Sequence, residues 1–243
     1  MSAAGSGGAL VCGFSDLASG LGGLAWRLGD EGGLILGDDG GHEARIAVSG
    51  DEDTVELRLS TAAGETEARL STRTGSVTPE TADGTTPPGG PLEAAVCAAE
   101  VKPAGQDRTL RCFGHLSSWA EDPAGDGTFR HLALERSDGS VLLVVARGDG
   151  GTPHGAERTA GWLLDREGGV SVFGEALLST QYDEDGRPTR VGLELWREGD
   201  EMPPMRAAGT RLGGTEGGGL SATVLRCSSE GSDGLGSYLV RRG

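Results

Sequence analysis

The sequence predicts an all-β, antiparallel protein, and three observations predict it. Apolar and polar residues alternate at period two in short runs, as in Val55, Leu57 and Leu59 against Glu56, Arg58 and Ser60. The 45 glycines fall in small groups between those runs, where turns belong, and show no collagen-like period. No stretch shows a sustained helical stripe with capping residues. The meander these signals describe either curls into two half-barrels or closes as one large distorted barrel or sandwich.

In chain order, the first strand candidates are 23–28, 33–36, 44–48, 54–59 and 67–70, with a short helix expected at 15–21. Residues 75–90 (GSVTPETADGTTPPGG) are rich in Thr, Pro, Gly and acid and offer almost nothing to bury. They read as a linker or long loop, dividing the chain into an N-terminal half, 1–90, and a C-terminal half, 91–243, which holds the candidate site. Beyond the divide the strands lengthen. Residues 93–101 and 108–119 form one expected hairpin, and 130–136 with 140–146 a second, turning at Asp138-Gly139. Further strands are expected at 158–164, 170–182, 190–196, 205–212, 219–227 and 236–241.

A formal net charge of −16 argues against nucleic acid, because a phosphate backbone needs a basic patch. No apolar run approaches the roughly 20 residues of a membrane span. The start, MSAAGSGGALVCGF, lacks the basic opening and long apolar segment of a signal peptide. A cytoplasmic location with reduced thiols is therefore expected. Cys12, Cys97, Cys112 and Cys227 form no CxxC pair, so no zinc site is expected. Cys97 and Cys112 flank the turn near 104–105, which leaves a disulfide or two buried thiols open there.

The chemistry concentrates in 108–147. Along 110–119 one face carries Leu110, Cys112, Gly114, Leu116 and Ser118, a core pattern. The other carries Arg111, Phe113, His115, Ser117 and Trp119, which reads as the wall of a pocket: aromatic surface with a few placed polar groups. On the next strand Phe129, His131 and Ala133 share a face. His115 with Asp122 or Glu121 could form an acid–base pair, with His131 as a second catalytic group; the alternative is a strand histidine bonded to backbone. Phe113, Trp119, Trp162, Tyr182 and Trp196 are the expected ligand-contacting aromatics. His42 and His154 sit in Gly-rich loops and read as surface. Asp183–Gly186 lacks the later ligands of a calcium loop, 213–219 lacks the Lys-Ser/Thr of a phosphate loop, and no Gly-x-Ser-x-Gly is present. Neither a metal nor a cofactor is expected.

Gly114-His115, Ser118-Trp119 and Glu121-Asp122, at the opening of a second strand-rich part, resemble the His-Ser-Trp-Gly and Arg-Asp signature of two-part lipocalin-like (calycin) proteins. Those include carotenoid 1,2-hydratases and calycin-type Diels–Alderases. The closing Gly234-Leu235-Gly236-Ser237-Tyr238-Leu239 is similar to that family's last strand. Two residues separate His115 from Ser118, Ala120 stands for Gly, and Glu121 stands for Arg. The resemblance implies lipocalin-like halves with a β-barrel pocket. It also implies a cofactor-independent cyclase, hydratase or isomerase of secondary metabolism, acting on a small apolar or polyketide-like molecule. A non-catalytic carrier of such a molecule is the alternative. The oligomeric state is left open.

Overall fold

The computed structural model describes residues 8–28, 31–37, 42–43, 45–50, 54–61, 64–72, 76–149, 151–199 and 203–243. It is all-β and antiparallel, in two curled sheets of nine strands each. The first contains β1 (Ala9–Asp16), β2 (Leu21–Leu28), β3 (Glu31–Leu36), β4 (His42–Glu43), β5 (Arg45–Gly50), β6 (Thr54–Thr61), β7 (Gly64–Thr72), β8 (Leu92–Lys102) and β9 (Leu110–Trp119). The second contains β10 (Thr128–Arg136), β11 (Val141–Gly148), β12 (Arg158–Leu164), β13 (Val170–Val172), β14 (Glu175–Tyr182), β15 (Pro188–Trp196), β16 (Met205–Gly217), β17 (Leu220–Ser229) and β18 (Ser232–Arg242). Both have one plan. The first strand pairs with the last, β1 with β9 and β10 with β18, and the edges are the consecutive strands β4 and β5, or β13 and β14.

Period two decides where each side chain goes. In the first sheet Leu10, Cys12 and Phe14 join Leu57, Leu70, Cys97 and Leu116 in its own concave core. In the second, Leu132, Leu134, Val144, Leu195 and Tyr238 do the same. The opposite faces meet each other: Val11, Trp26, Leu92 and Trp119 pack with Phe129, Leu143, Trp162, Val224 and Leu239 in a third cluster that joins the halves. That is why Val141–Ala146 reads as a continuous apolar run, since both its faces are buried. The hairpin at Asp138-Gly139 forms as expected, with Gly139 at φ 83° and the Asp138 carboxylate accepting from the Ser140 backbone N–H at 2.9 Å.

Four expectations need correction. Residues 9–16 form β1, a paired strand between β2 and β9, and the expected helix at 15–21 is the end of that strand and a turn; burial of both faces leaves the strand no polar alternation. The run 170–182 is two strands on opposite edges of the sheet, parted at Phe173-Gly174. The boundary between the sheets falls at 120–127 instead of 90, because β8 pairs with both β7 and β9. Among the described residues of 75–90, Val77 bridges Ala94, and the Glu80 carbonyl accepts the Trp162 indole N–H at 2.7 Å. The segment is a loop of the first sheet strapped onto the second.

All four thiols are free and buried. In the β8–β9 register Cys97 faces Gly114 and Cys112 faces Ala99, two residues out of step. Burial pushes the Cys97 and Cys112 thiols up to about 12, far from the reactive thiolate range.

Candidate functional site: a buried histidine pair between the sheets

β9 and β10 end and begin at the junction of the two sheets, and their outward faces oppose each other. Alternation places Phe113, His115, Ser117 and Trp119 on one, and Phe129, His131, Ala133 and Glu135 on the other. His115 Nδ1 lies 3.0 Å from Glu135 Oε1, with side-chain exposures of 1% and 2%. His131 Nε2 lies 3.1 Å from Ser117 Oγ. The two imidazoles stack at 5.5 Å with 25° between planes, and the Trp119 indole stands edge-on to His131 at 5.6 Å. Phe129 closes the side at 5.3 Å from Trp119.

Room for this comes from β1, where Gly13 is the register partner of His115. A Cβ at Gly13 would stand 2.4 Å from His115 Cε1 and 2.7 Å from Glu135 Oε1, so only glycine admits the pair.

A carboxylate on Nδ1 fixes the proton there and leaves Nε2 with its lone pair. His115 Nε2, His131 Nδ1 and Trp119 Nε1 are all buried and have no hydrogen-bond partner. Buried polar atoms are normally paired, so three unpaired nitrogens around one ring stack mark a place built to meet a polar group.

Burial, and secondarily the His115 ring beside it, holds the His131 pKa well below its ordinary 6.5. The unfolded chain would take up a proton near 6.5 that the folded chain refuses. Stability from this group is therefore whole above that pH and falls as pH drops through it. Urea unfolding from pH 7 to pH 5 should show a loss of up to about 1.4 kcal/mol per pH unit that a His131→Gln variant lacks. Equal slopes in the two proteins would contradict this.

A second polar group lies inside the concave core of the second sheet. Arg130, on the other face of β10, forms an ion pair with Glu157, both side chains at most 1% exposed. Arg130 Nη1 also donates to the Leu178 carbonyl at 3.3 Å and lies 3.5 Å from the Tyr238 hydroxyl, which is 2.8 Å from Thr180 Oγ1. Burial raises the Tyr238 pKa to about 12. Outside both clusters, a cleft of about 510 Å³ lies between the strap loop (Thr81, Asp83, Thr85) and Phe173, Trp196, Arg158 and Arg197 at the seam of the second sheet. Among the described residues no group of three His, Cys, Asp or Glu side chains is placed to hold a metal.

The structure brings together His115, His131 and Trp119 of the expected residues, with Phe113 half-buried on the same face. Asp122 is not the partner of His115: its carboxylate accepts from the Ala124 backbone N–H at 2.9 Å and lies 3.7 Å from Arg241. Trp162 is core, anchoring the strap loop; Trp196 lines the outer cleft, and Tyr182 sits half-buried on edge strand β14. The expected pocket wall on β9 is instead packed against the second sheet, its histidines covered. Ser117 lies on the face expected as a pocket wall, where it was given no partner, and Glu135 went unassigned, although extending the Phe129, His131, Ala133 face by two residues reaches it. The side chains of His42 and His154 lie outside the described residues.

No protein-family model matches the sequence, and no curated protein matches it significantly. Solved structures do match by fold. An AttH-type protein from Nitrosomonas europaea superposes with TM-score 0.68 at 13% identity, covering 96% of this chain and 91% of that one. Kievitone hydratase from Nectria haematococca gives 0.62 at 10% identity, covering 98% and 89%. CghA, crystallised with Sch210972, gives 0.54 at 12% identity over 98% and 89%. By these superpositions the chain shares the fold of kievitone hydratase and CghA, proteins of the kind its sequence resembles.

Proposed function

We propose that this protein is a cofactor-independent enzyme of the hydratase, isomerase or cyclase kind, acting by acid–base chemistry on a small apolar or polyketide-like molecule of secondary metabolism. One observation carries the reading: His115 is pinned at Nδ1 by a buried carboxylate and is unpartnered at Nε2, the arrangement of an oriented general base. The shared fold with a hydratase and with a Diels–Alderase supports it. Four reduced, buried thiols and the excess of acid suit a cytoplasmic protein. The histidines are covered, so the opposed faces of β9 and β10 must part to admit substrate, and their closure excludes water. A carrier is the second reading, favoured by the outer cleft at Trp196, which is of a size to hold a small ligand without reaching the histidines.

Mass spectrometry of small molecules extracted from the purified protein, followed by their incubation with fresh wild-type protein, tests this. The enzyme reading expects a new product at unchanged or water-shifted mass. Binding with no conversion supports the carrier.

A further inference from the structure

The His115–Glu135 pair leaves a second imidazole unexplained. His131 is wholly buried, stacks on His115 and has a hydroxyl, Ser117 Oγ, at its Nε2. No carboxylate is bonded to it. A hydroxyl that donates to Nε2 leaves the ring neutral and puts its proton on Nδ1, the atom that is buried and unpaired. The titratable groups facing this ring are His115 and, through it, Glu135; Trp119 and Phe129 close the remaining sides.

We infer that Ser117 fixes His131 as a neutral N–H donor set against the base His115, so that the substrate is a carbonyl compound whose developing enolate oxygen that donor receives. This rests on the reading of His115 as the base. In the step, a C–H bond next to the carbonyl breaks and its proton goes to His115 Nε2. The electron pair moves through the carbon–carbon bond onto oxygen, which takes a hydrogen bond from His131 Nδ1. Return of the proton from His115 to another carbon of the conjugated system completes a double-bond shift with no net loss of atoms. A neutral imidazole suits the donor role, because it polarises oxygen without surrendering its proton. Ser117 is thus a positioning residue and acts through His131.

The test needs no substrate. Nitrogen-15 NMR of protein labelled at its four histidines reads which ring nitrogens hold protons. At pH 7 the inference expects His131 neutral, protonated at Nδ1 and bare at Nε2, with His115 also protonated at Nδ1. Ser117→Ala should move the His131 signals or change its tautomer while leaving those of His115 in place. A His131 that is charged at pH 7, or protonated at Nε2, overturns the inference, and the wild-type spectrum decides this even if the variant fails to fold. Unchanged His131 signals in a folded Ser117→Ala protein also overturn it. A His115 bare at Nδ1 is a separate failure, which sinks the proposed function and the inference with it.

Discussion

Replacing His115 with Gln is expected to lower turnover of any substrate the protein converts by about 10²–10⁴, the usual contribution of a positioned acid or base. Glutamine fills much of the same space and can still meet Glu135, so the sheets should remain joined. It offers no lone-pair nitrogen that can take a proton, and binding should change by no more than about 1 kcal/mol, the net contribution of one hydrogen bond. Single-turnover rates and equilibrium binding, measured on the same preparations, separate the two effects. Intact turnover would remove His115 from the chemistry.

An effect of similar size is expected on stability from Glu157→Ala. The Arg130 guanidinium is completely buried, and its neutral partners lie at 3.3–3.5 Å, too far to replace a carboxylate. Removing one member of a buried ion pair leaves an uncompensated charge, at a cost of about 3–5 kcal/mol. The urea midpoint should fall with little change in slope, since the extent of unfolding is the same. The double variant Arg130→Met with Glu157→Leu should recover most of the loss, because the surrounding Leu132, Val144 and Val240 are apolar. A loss under about 1 kcal/mol in the single variant would mean that the pair is reached by water.

The strands that alternate cleanly were legible from sequence, because one buried face against one wet face imposes period two. β6, β7 and the later half of β8 are of this type, and the β8–β9 hairpin turns at Ala104-Gly105, where the turn residues predict. β1 was not legible, since ALVCGFSD is buried on both faces and has no polar partner set to reveal its period. The break at Phe173-Gly174 was hidden for another reason. Both residues suit a strand, and only closure of the sheet, with Phe173 N–H donating to the Gly161 carbonyl at 3.0 Å and Gly174 N–H to the Trp196 carbonyl at 2.8 Å, makes them a crossing. The two faces of β9 were read correctly, but what covered the polar one was not. Apolar and aromatic residues with a few polar groups describe a pocket wall and a sheet–sheet interface equally well. The choice depends on β10, whose own face carries Glu135. The pairing of His115 with Glu135 instead of Asp122 followed the same logic: Asp122 is near in sequence but spent on its turn, whereas Glu135 arrives from across the interface.

The central claim is that chemistry occurs at the stacked histidines between the sheets. A crystal structure of the protein with the substrate or product identified in those turnover experiments tests it most directly. The account predicts the molecule between β9 and β10, with a reacting atom within about 2.6–3.2 Å of His115 Nε2 and the opposed faces parted from their closed arrangement. A molecule seated instead in the cleft between Thr85 and Trp196, with His115 and His131 still covered, would contradict it.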